Sequence, residues 1–94
     1  MIEEGKIGKS IIVSGKVQGV FYRASTVEKA RSLGVNGWVK NMPNGDVEIN
    51  VFGDCEAVAE LIVWCNQGPQ FARVDLVNAM DIAWEDHKSF EVKY

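Results

Sequence analysis

The chain has 94 residues, of which 47% are hydrophobic and 24% are charged. This length supports one domain with its own core, and the composition is that of an ordinary globular protein. Ten basic and thirteen acidic side chains leave a net charge of −3, so no overall positive field attracts nucleic acid or an anionic membrane. We therefore expect any bound anion to be held by a local site.

Membrane, secreted and metal-dependent classes are disfavoured by the sequence. The longest apolar run covers only residues 61–65, against the roughly 20 that a membrane span needs, and the acidic start at residues 1–4 is unlike a signal peptide. Cys55, Cys65 and the single histidine His87 are too few for a zinc site or a disulfide framework. We expect a cytoplasmic protein without metal or other cofactor, in which His87 lies in solvent.

The first half of the chain predicts a strand, a helix and a second strand. Residues 9–15 are rich in β-branched side chains and end at a glycine, which is typical of a strand. After a loop at 16–20, apolar side chains at three- and four-residue spacing predict a helix over 21–33, which a left-handed Gly34 ends. Residues 35–40 then predict the second strand.

The second half predicts three more strands and one helix. Residues 42–45 have the composition of a turn, and residues 46–51 alternate between apolar and polar side chains, as in a half-buried antiparallel strand. Asp54 is a suitable N-cap for a helix over 55–66, which Gly68 and Pro69 terminate. The remaining predicted elements are a strand at 72–84, a turn at 85–88 and a closing strand at 89–94.

The predicted order is β-α-β-β-α-β with an extra C-terminal strand. Two helices on one face of an antiparallel sheet form the ferredoxin-like split βαβ sandwich, an α+β fold. We expect a single domain over residues 1–94. Because many functions use this fold, the chemistry has to be argued from a site.

The most informative segment is the glycine-flanked loop between the first strand and the first helix. Free N–H groups of a helix's first turn, together with loop amides, form a concave donor surface for an anion. Gly19 has no side chain to keep a phosphate away from the backbone, and Arg23 adds a planar set of donors. The residues therefore favour a phosphate site, with a tight turn beside a solvated arginine as the equal alternative.

Asn41 extends this candidate site. A right-handed crossover helix makes the first two strands parallel, so their C-terminal ends lie at the same edge of the sheet. One intervening strand would separate the loop from Asn41 by about 10 Å, and Arg23 and Asn41 could both reach into that gap. The alternative is that Asn41 only caps backbone groups before a turn.

Two ordered motifs resemble the acylphosphatase signature. The first is Gly-Lys-Val-Gln-Gly-Val-Phe-Tyr-Arg at 15–23, and the second is Leu-Gly-Val-Asn-Gly-Trp-Val-Lys-Asn at 33–41, followed by Asn-Gly-Asp-Val-Glu at 44–48. The resemblance extends over residues 10–94. Lys40 stands where arginine is common and Asn44 where aspartate is common, and neither position is assigned chemistry.

The resemblance implies an enzyme that hydrolyses the carboxyl–phosphate bond of small acyl phosphates without a metal ion. It implies that Arg23 and the amides of the loop bind the phosphate, and that Asn41 positions the attacking water. The partner implied is this small molecule, with no nucleic acid or membrane, and the chain is expected to be a monomer. The implied phosphate-binding loop residues are Lys16, Val17, Gln18, Gly19 and Val20.

Three alternatives differ in class. A non-catalytic module that binds a phosphorylated metabolite or partner would use the same loop but not Asn41. A ferredoxin-like RNA binder needs basic and aromatic side chains on its strands, whereas the third strand offers Asp46, Glu48 and Asn50. The N-terminal piece of a larger maturation enzyme is disfavoured by a chain that ends at Tyr94.

Overall fold

The secondary structure follows the predicted order. A computed structural model describes residues 5–94, and the acidic start at 1–4 lies outside the described residues. The helices are α1 (Tyr22–Leu33) and α2 (Cys55–Gln67). The strands are β1 (Lys6–Lys16), β2 (Asn36–Asn41), β3 (Val47–Asp54), β4 (Arg73–Ile82) and β5 (Phe90–Val92).

Both helices pack against a five-stranded sheet with the order β4-β1-β3-β2-β5. Neighbouring strands are antiparallel except β2 and β5, which run parallel with Gly37 opposite Phe90 and Val39 opposite Val92. The ferredoxin-like α+β fold is confirmed. The sheet is mixed because the chain leaves β4 at one edge and crosses to the opposite edge, where β5 pairs with β2.

The core lies between the helices and one face of the sheet. The alternation predicted for β3 is confirmed, since Val47, Ile49 and Val51 are completely buried. Glu48 and Asn50 point to the other face and remain partly exposed. Neither helix, within residues 5–94, has the length and hydrophobicity to cross a membrane.

A buried hydrogen bond joins α1 to α2. The hydroxyl of Tyr22 donates to the backbone carbonyl of Cys65 over 2.8 Å. Burial raises the pKa of the Tyr22 hydroxyl far above its ordinary value, and burial raises the pKa of the Cys65 thiol to about 12. Both groups are neutral at pH 7, so this pair stabilises the helix packing and Cys65 is not an activated nucleophile.

The end of α1 and the start of α2 can be compared with the capping residues that the sequence predicts. Gly34 adopts the predicted left-handed conformation, with φ 74°, and its N–H bonds to the last turn of α1. Asp54 stands at the N-cap of α2 as predicted, but its side chain makes no capping hydrogen bond. Asp54 still belongs to β3, paired with Lys6, and the N–H of Cys55 donates to the carbonyl of Gly5 instead.

His87 is less exposed than predicted, although it does not line the cavity of Arg23 and Asn41. Its ring stacks on Phe52 with the ring centres 4.7 Å apart and the planes 9° from parallel. The side chain is 31% exposed, and Nε2 lies 2.9 Å from a carboxylate oxygen of Glu85. The segment after β4, which contains His87, folds back over the face of β3 opposite the helices and places the histidine against Phe52.

Candidate functional site

The prediction that the C-terminal ends of β1 and β2 lie at the same edge of the sheet is confirmed. Both strands pair antiparallel with β3, which lies between them, so β1 and β2 run in the same direction. Lys16 ends β1 and Asn41 ends β2 at one edge of the sheet. The loop that connects β1 to α1 therefore opens beside Asn41.

A cavity of about 280 Å³ lies at this edge. It brings together Arg23 and Asn41, the two predicted catalytic residues, with Val17 and Gly19 of the predicted phosphate loop. The other three predicted loop residues do not line the cavity: Lys16 is exposed, Gln18 points elsewhere and the Val20 side chain is buried. The cavity is lined by Val17, Gly19, Phe21, Tyr22, Arg23, Ala24, Asn41, Val92 and Tyr94.

The backbone on both sides of the loop adopts conformations that favour glycine and that strain any other residue. At Gly15, where β1 changes register with β4, an added Cβ would lie 2.1 Å from the carbonyl oxygen of Arg73. Gly19 has φ 74° and open space around it. Phe21, the N-cap of α1, has φ 65° and makes no side-chain cap. Phe21 therefore supplies no side-chain acceptor to the first N–H groups of α1, as an anion site at a helix start needs.

Gln18 connects the loop to the turn that follows Asn41. Its side-chain Nε2 donates to the carbonyl oxygens of Met42 and Asp46, each at 2.8 Å. Gln18 thus points away from the cavity. Its two hydrogen bonds hold the β1–α1 loop close to the turn that follows Asn41. Gln18 was predicted to bind phosphate, whereas its side chain connects the loop to the turn after Asn41.

Arg23 extends from the first turn of α1 toward the C-terminal residue Tyr94. Its guanidinium carbon lies 5.3 Å from the centre of the Tyr94 ring, which is a cation–π contact. Within residues 5–94, Arg23 forms no salt bridge with a carboxylate. Its donors are therefore not neutralised by an acidic side chain of the described chain, which leaves them suited to an oxyanion.

Asn41 presents an amide oxygen without a partner. Its Oδ1 is buried and accepts no hydrogen bond from any residue in the described range. A buried polar atom of this kind is costly unless a bound molecule satisfies it. Because Asn41 lines the cavity, its side-chain amide lies beside the space that a ligand would occupy.

Sequence reasoning missed the cavity wall contributed by the end of the chain. Val92 and Tyr94 reach the site because β5 pairs in parallel with β2. A three-residue strand has little pattern of its own, and nothing in its sequence indicates which edge it joins. Phe21 and Tyr22 belong to the motif at 15–23, but the sequence assigns neither of them a role at the site, and both line the cavity.

The fold and the cavity together define a small ferredoxin-like α+β domain with a candidate site for a small oxyanion. The family model for acylphosphatases matches residues 9–92. An acylphosphatase of Anaeromyxobacter dehalogenans is 42% identical over 93 residues, which are 95% of this chain and 97% of that relative. The chain belongs to the acylphosphatase family and is an enzyme of the hydrolase class.

Solved structures agree with this assignment. The structure of an acylphosphatase from Coxiella burnetii superimposes with a TM-score of 0.93 at 41% identity, covering 96% of this chain and 95% of that one. The acylphosphatase of Bacillus subtilis gives a TM-score of 0.91 at 31% identity, covering 94% and 99%. The resemblance inferred from the two sequence motifs is confirmed.

Proposed function

We propose that this chain hydrolyses the carboxyl–phosphate bond of small acyl phosphates to a carboxylate and inorganic phosphate, without a metal ion or another cofactor. One observation carries the proposal: a single cavity is lined by Arg23, which forms no salt bridge within residues 5–94, and by Asn41, whose buried amide oxygen accepts no hydrogen bond from those residues. The first group suits a phosphoryl group, and the second suits the water that attacks it.

In this proposal Arg23 and the loop amides bind the phosphate. The planar guanidinium can donate to two phosphoryl oxygens, and backbone N–H groups of the Lys16–Val20 loop, of which Val17 and Gly19 line the cavity, can donate to the others. The open space at Gly19 lets a phosphate approach the backbone. Phosphoryl transfer has a loose transition state, so positioning and charge stabilisation are the main requirements.

Asn41 orients the attacking water. A neutral amide is not a base, so its Oδ1 accepts one hydrogen bond from the water and directs a water lone pair toward phosphorus. The water oxygen forms a bond to phosphorus while the bond from phosphorus to the acyl oxygen breaks, and both electrons leave with the carboxylate. A phosphoryl oxygen of the substrate accepts the proton of the water.

The leaving group explains why the chemistry needs neither a general acid nor a metal ion. The departing carboxylate has a conjugate acid with a pKa of about 4, so it leaves as an anion without protonation. The cavity lining, among the described residues, contains no histidine, acidic side chain, lysine or cysteine. We therefore expect kcat/KM to show no titration of a protein group between about pH 5 and 8, since histidine is the side chain whose ordinary pKa lies there and the lining has none.

The test is hydrolysis of benzoyl phosphate in the presence of EDTA. We expect the parent to remain active, and Arg23→Ala to lose both turnover and phosphate binding. Asn41→Ala should lower kcat by roughly 100- to 1,000-fold, the range found when one transition-state hydrogen bond is removed, and keep the inhibition constant of phosphate. Arg73→Ala and Asn78→Ala, at exposed positions of β4, are the matched controls.

Three results would contradict the proposal. Loss of activity with EDTA would exclude metal-independent hydrolysis, and a pH–rate profile set by a protein group would exclude proton transfer to the substrate. Phosphate binding by a folded parent that does not turn over the substrate would favour the non-catalytic binding module.

We also propose that a monomer is the active unit and that it acts in the cytoplasm. The cavity already holds both residues proposed for catalysis, Arg23 and Asn41, so the proposed chemistry requires no second subunit. Cys55 and Cys65 are free thiols, and Cys55 is exposed, as suits a reducing compartment. Equilibrium sedimentation of the active enzyme tests the first proposal.

A further inference from the structure

Phe21 has an unusual combination of conformation and exposure. It is the one non-glycine residue of the described chain with a positive φ, 65°, which is sterically unfavourable for a bulky side chain. Its side chain is 76% exposed, so it adds nothing to the core. Strained backbone and a large exposed apolar ring at one position point to a binding role there.

Phe21 lines the cavity that also holds Arg23 and Asn41. Apart from Arg23, which the phosphate occupies, the cavity lining within residues 5–94 carries no charged side chain. A second anionic group on the substrate would therefore lack a partner. An uncharged, apolar group would instead find the exposed ring of Phe21.

The direction of the reaction places the acyl group near Phe21. In-line displacement at phosphorus puts the attacking water and the leaving group on opposite sides. Asn41, which orients the water, ends β2, whereas Phe21 follows the loop that leaves β1, with β3 between the two strands. The leaving carboxylate and its acyl group therefore extend from phosphorus toward the side of the cavity where Phe21 stands.

We infer that Phe21 contacts the acyl group of the substrate, and that it gives the site a preference for acyl phosphates whose acyl group is an uncharged aromatic ring over those with a small aliphatic one. This inference rests on the proposed function. Two aromatic rings gain from offset or edge-to-face contact beyond the area they bury, and an acetyl group is too small to reach that contact.

The experiment compares kcat/KM for benzoyl phosphate with kcat/KM for acetyl phosphate in each variant. The ratio of these two values, divided by the parent's ratio, cancels the different intrinsic reactivities of the two substrates. Phe21→Asn is the main variant because asparagine tolerates a positive φ. Phe21→Gly removes the backbone restriction altogether, and Phe21→Tyr keeps the ring. Phe71→Asn makes the same change at an exposed phenylalanine that does not line the cavity.

We expect the ratio to fall by about 2- to 12-fold in Phe21→Asn and Phe21→Gly, as for the loss of one aromatic contact, and to keep the parent value in Phe21→Tyr and Phe71→Asn. An unchanged ratio in an active Phe21→Asn or Phe21→Gly enzyme would overturn this inference and leave the proposed hydrolysis standing. Failure of the folded parent to hydrolyse either substrate would overturn the proposed function and this inference with it.

Discussion

The guanidinium of Arg23 lies over the ring of Tyr94, with its central carbon 5.3 Å from the ring centre. Arg23 belongs to the first turn of α1, and Tyr94 follows the last strand, so the contact joins two distant parts of the chain. The Tyr94 ring is itself 98% exposed. We interpret the contact as one that holds the guanidinium beside the cavity before phosphate binds, which lowers the entropy cost of binding.

Replacing Tyr94 by leucine should weaken phosphate binding without unfolding the protein. An exposed cation–π contact contributes about 0.5–1 kcal/mol, so the inhibition constant of inorganic phosphate should rise about 2- to 5-fold. Tyr94→Phe keeps a ring face and should match the parent. Equal weakening in both variants would show that the hydroxyl, rather than the ring, supports Arg23.

Most of the fold was predictable because local patterns and global packing agree. The alternation of Val47, Ile49 and Val51 determines which face of β3 is buried, and Gly34 marks the end of α1. The right-handed crossover rule then placed Asn41 beside the β1–α1 loop. The expectation that Arg23 and Asn41 could reach the same gap agrees with the cavity that both line.

The features that the sequence did not predict depend on contacts between residues that are far apart in the chain. Tyr94 reaches the site because β5 joins β2, and the Gln18 side chain bonds to carbonyls 24 and 28 residues away. His87 is covered by Phe52 because the segment after β4 folds back over the sheet. Such contacts are set by tertiary packing, and no residue pattern within these segments indicates the partner.

Gln18 should act as a positioning residue that holds the β1–α1 loop against the turn after Asn41. Gln18→Leu removes two hydrogen bonds to the turn after Asn41, so the free energy of unfolding should fall by about 1–3 kcal/mol. Because the loop is no longer held at its distance from Asn41, kcat should fall as well as phosphate affinity. Urea unfolding and hydrolysis kinetics measure the two effects.

Gln18→Glu provides the control for that interpretation. An ionised carboxylate has no donor and would face the carbonyl oxygens of Met42 and Asp46, so at pH 7 it should be less stable than Gln18→Leu. Its protonated form can donate one hydrogen bond, so the variant should regain stability relative to Gln18→Leu as the pH falls. A Gln18→Leu protein with the parent's stability and kcat would exclude the positioning role.

Gly19 and Gly34 form a matched pair for testing the phosphate loop. Both have φ 74°, and an added Cβ would meet no atom within 4 Å at either position. Gly19→Ala and Gly34→Ala should therefore lower the free energy of unfolding by a similar amount, about 1–2 kcal/mol, because each residue has a left-handed backbone conformation. Only Gly19 lines the cavity, so only Gly19→Ala should weaken phosphate binding, as measured by inhibition. Equal weakening in Gly34→Ala would attribute the effect to general destabilisation.

The buried Tyr22–Cys65 contact should make the fold sensitive to alkaline pH. Burial raises the pKa of both groups in the folded state above their ordinary values of 10.0 and 9.0. As the pH rises past these values, the unfolded chain loses protons that the folded chain keeps, so unfolding becomes more favourable. The contribution of these two groups to the free energy of unfolding should therefore fall as the pH rises above about 9.

Tyr22→Phe isolates the contribution of the hydroxyl to this sensitivity. At neutral pH the variant should lose about 0.5–1.5 kcal/mol, since it lacks the 2.8 Å hydrogen bond to the carbonyl of Cys65. Above the ordinary pKa of tyrosine its stability should fall less steeply than the parent's, because one of the two titrating groups is gone. Urea unfolding under reducing conditions across this range measures both effects, with Tyr94→Phe as the control at an exposed tyrosine. Parallel pH profiles for the parent and Tyr22→Phe would show that another group governs alkaline unfolding.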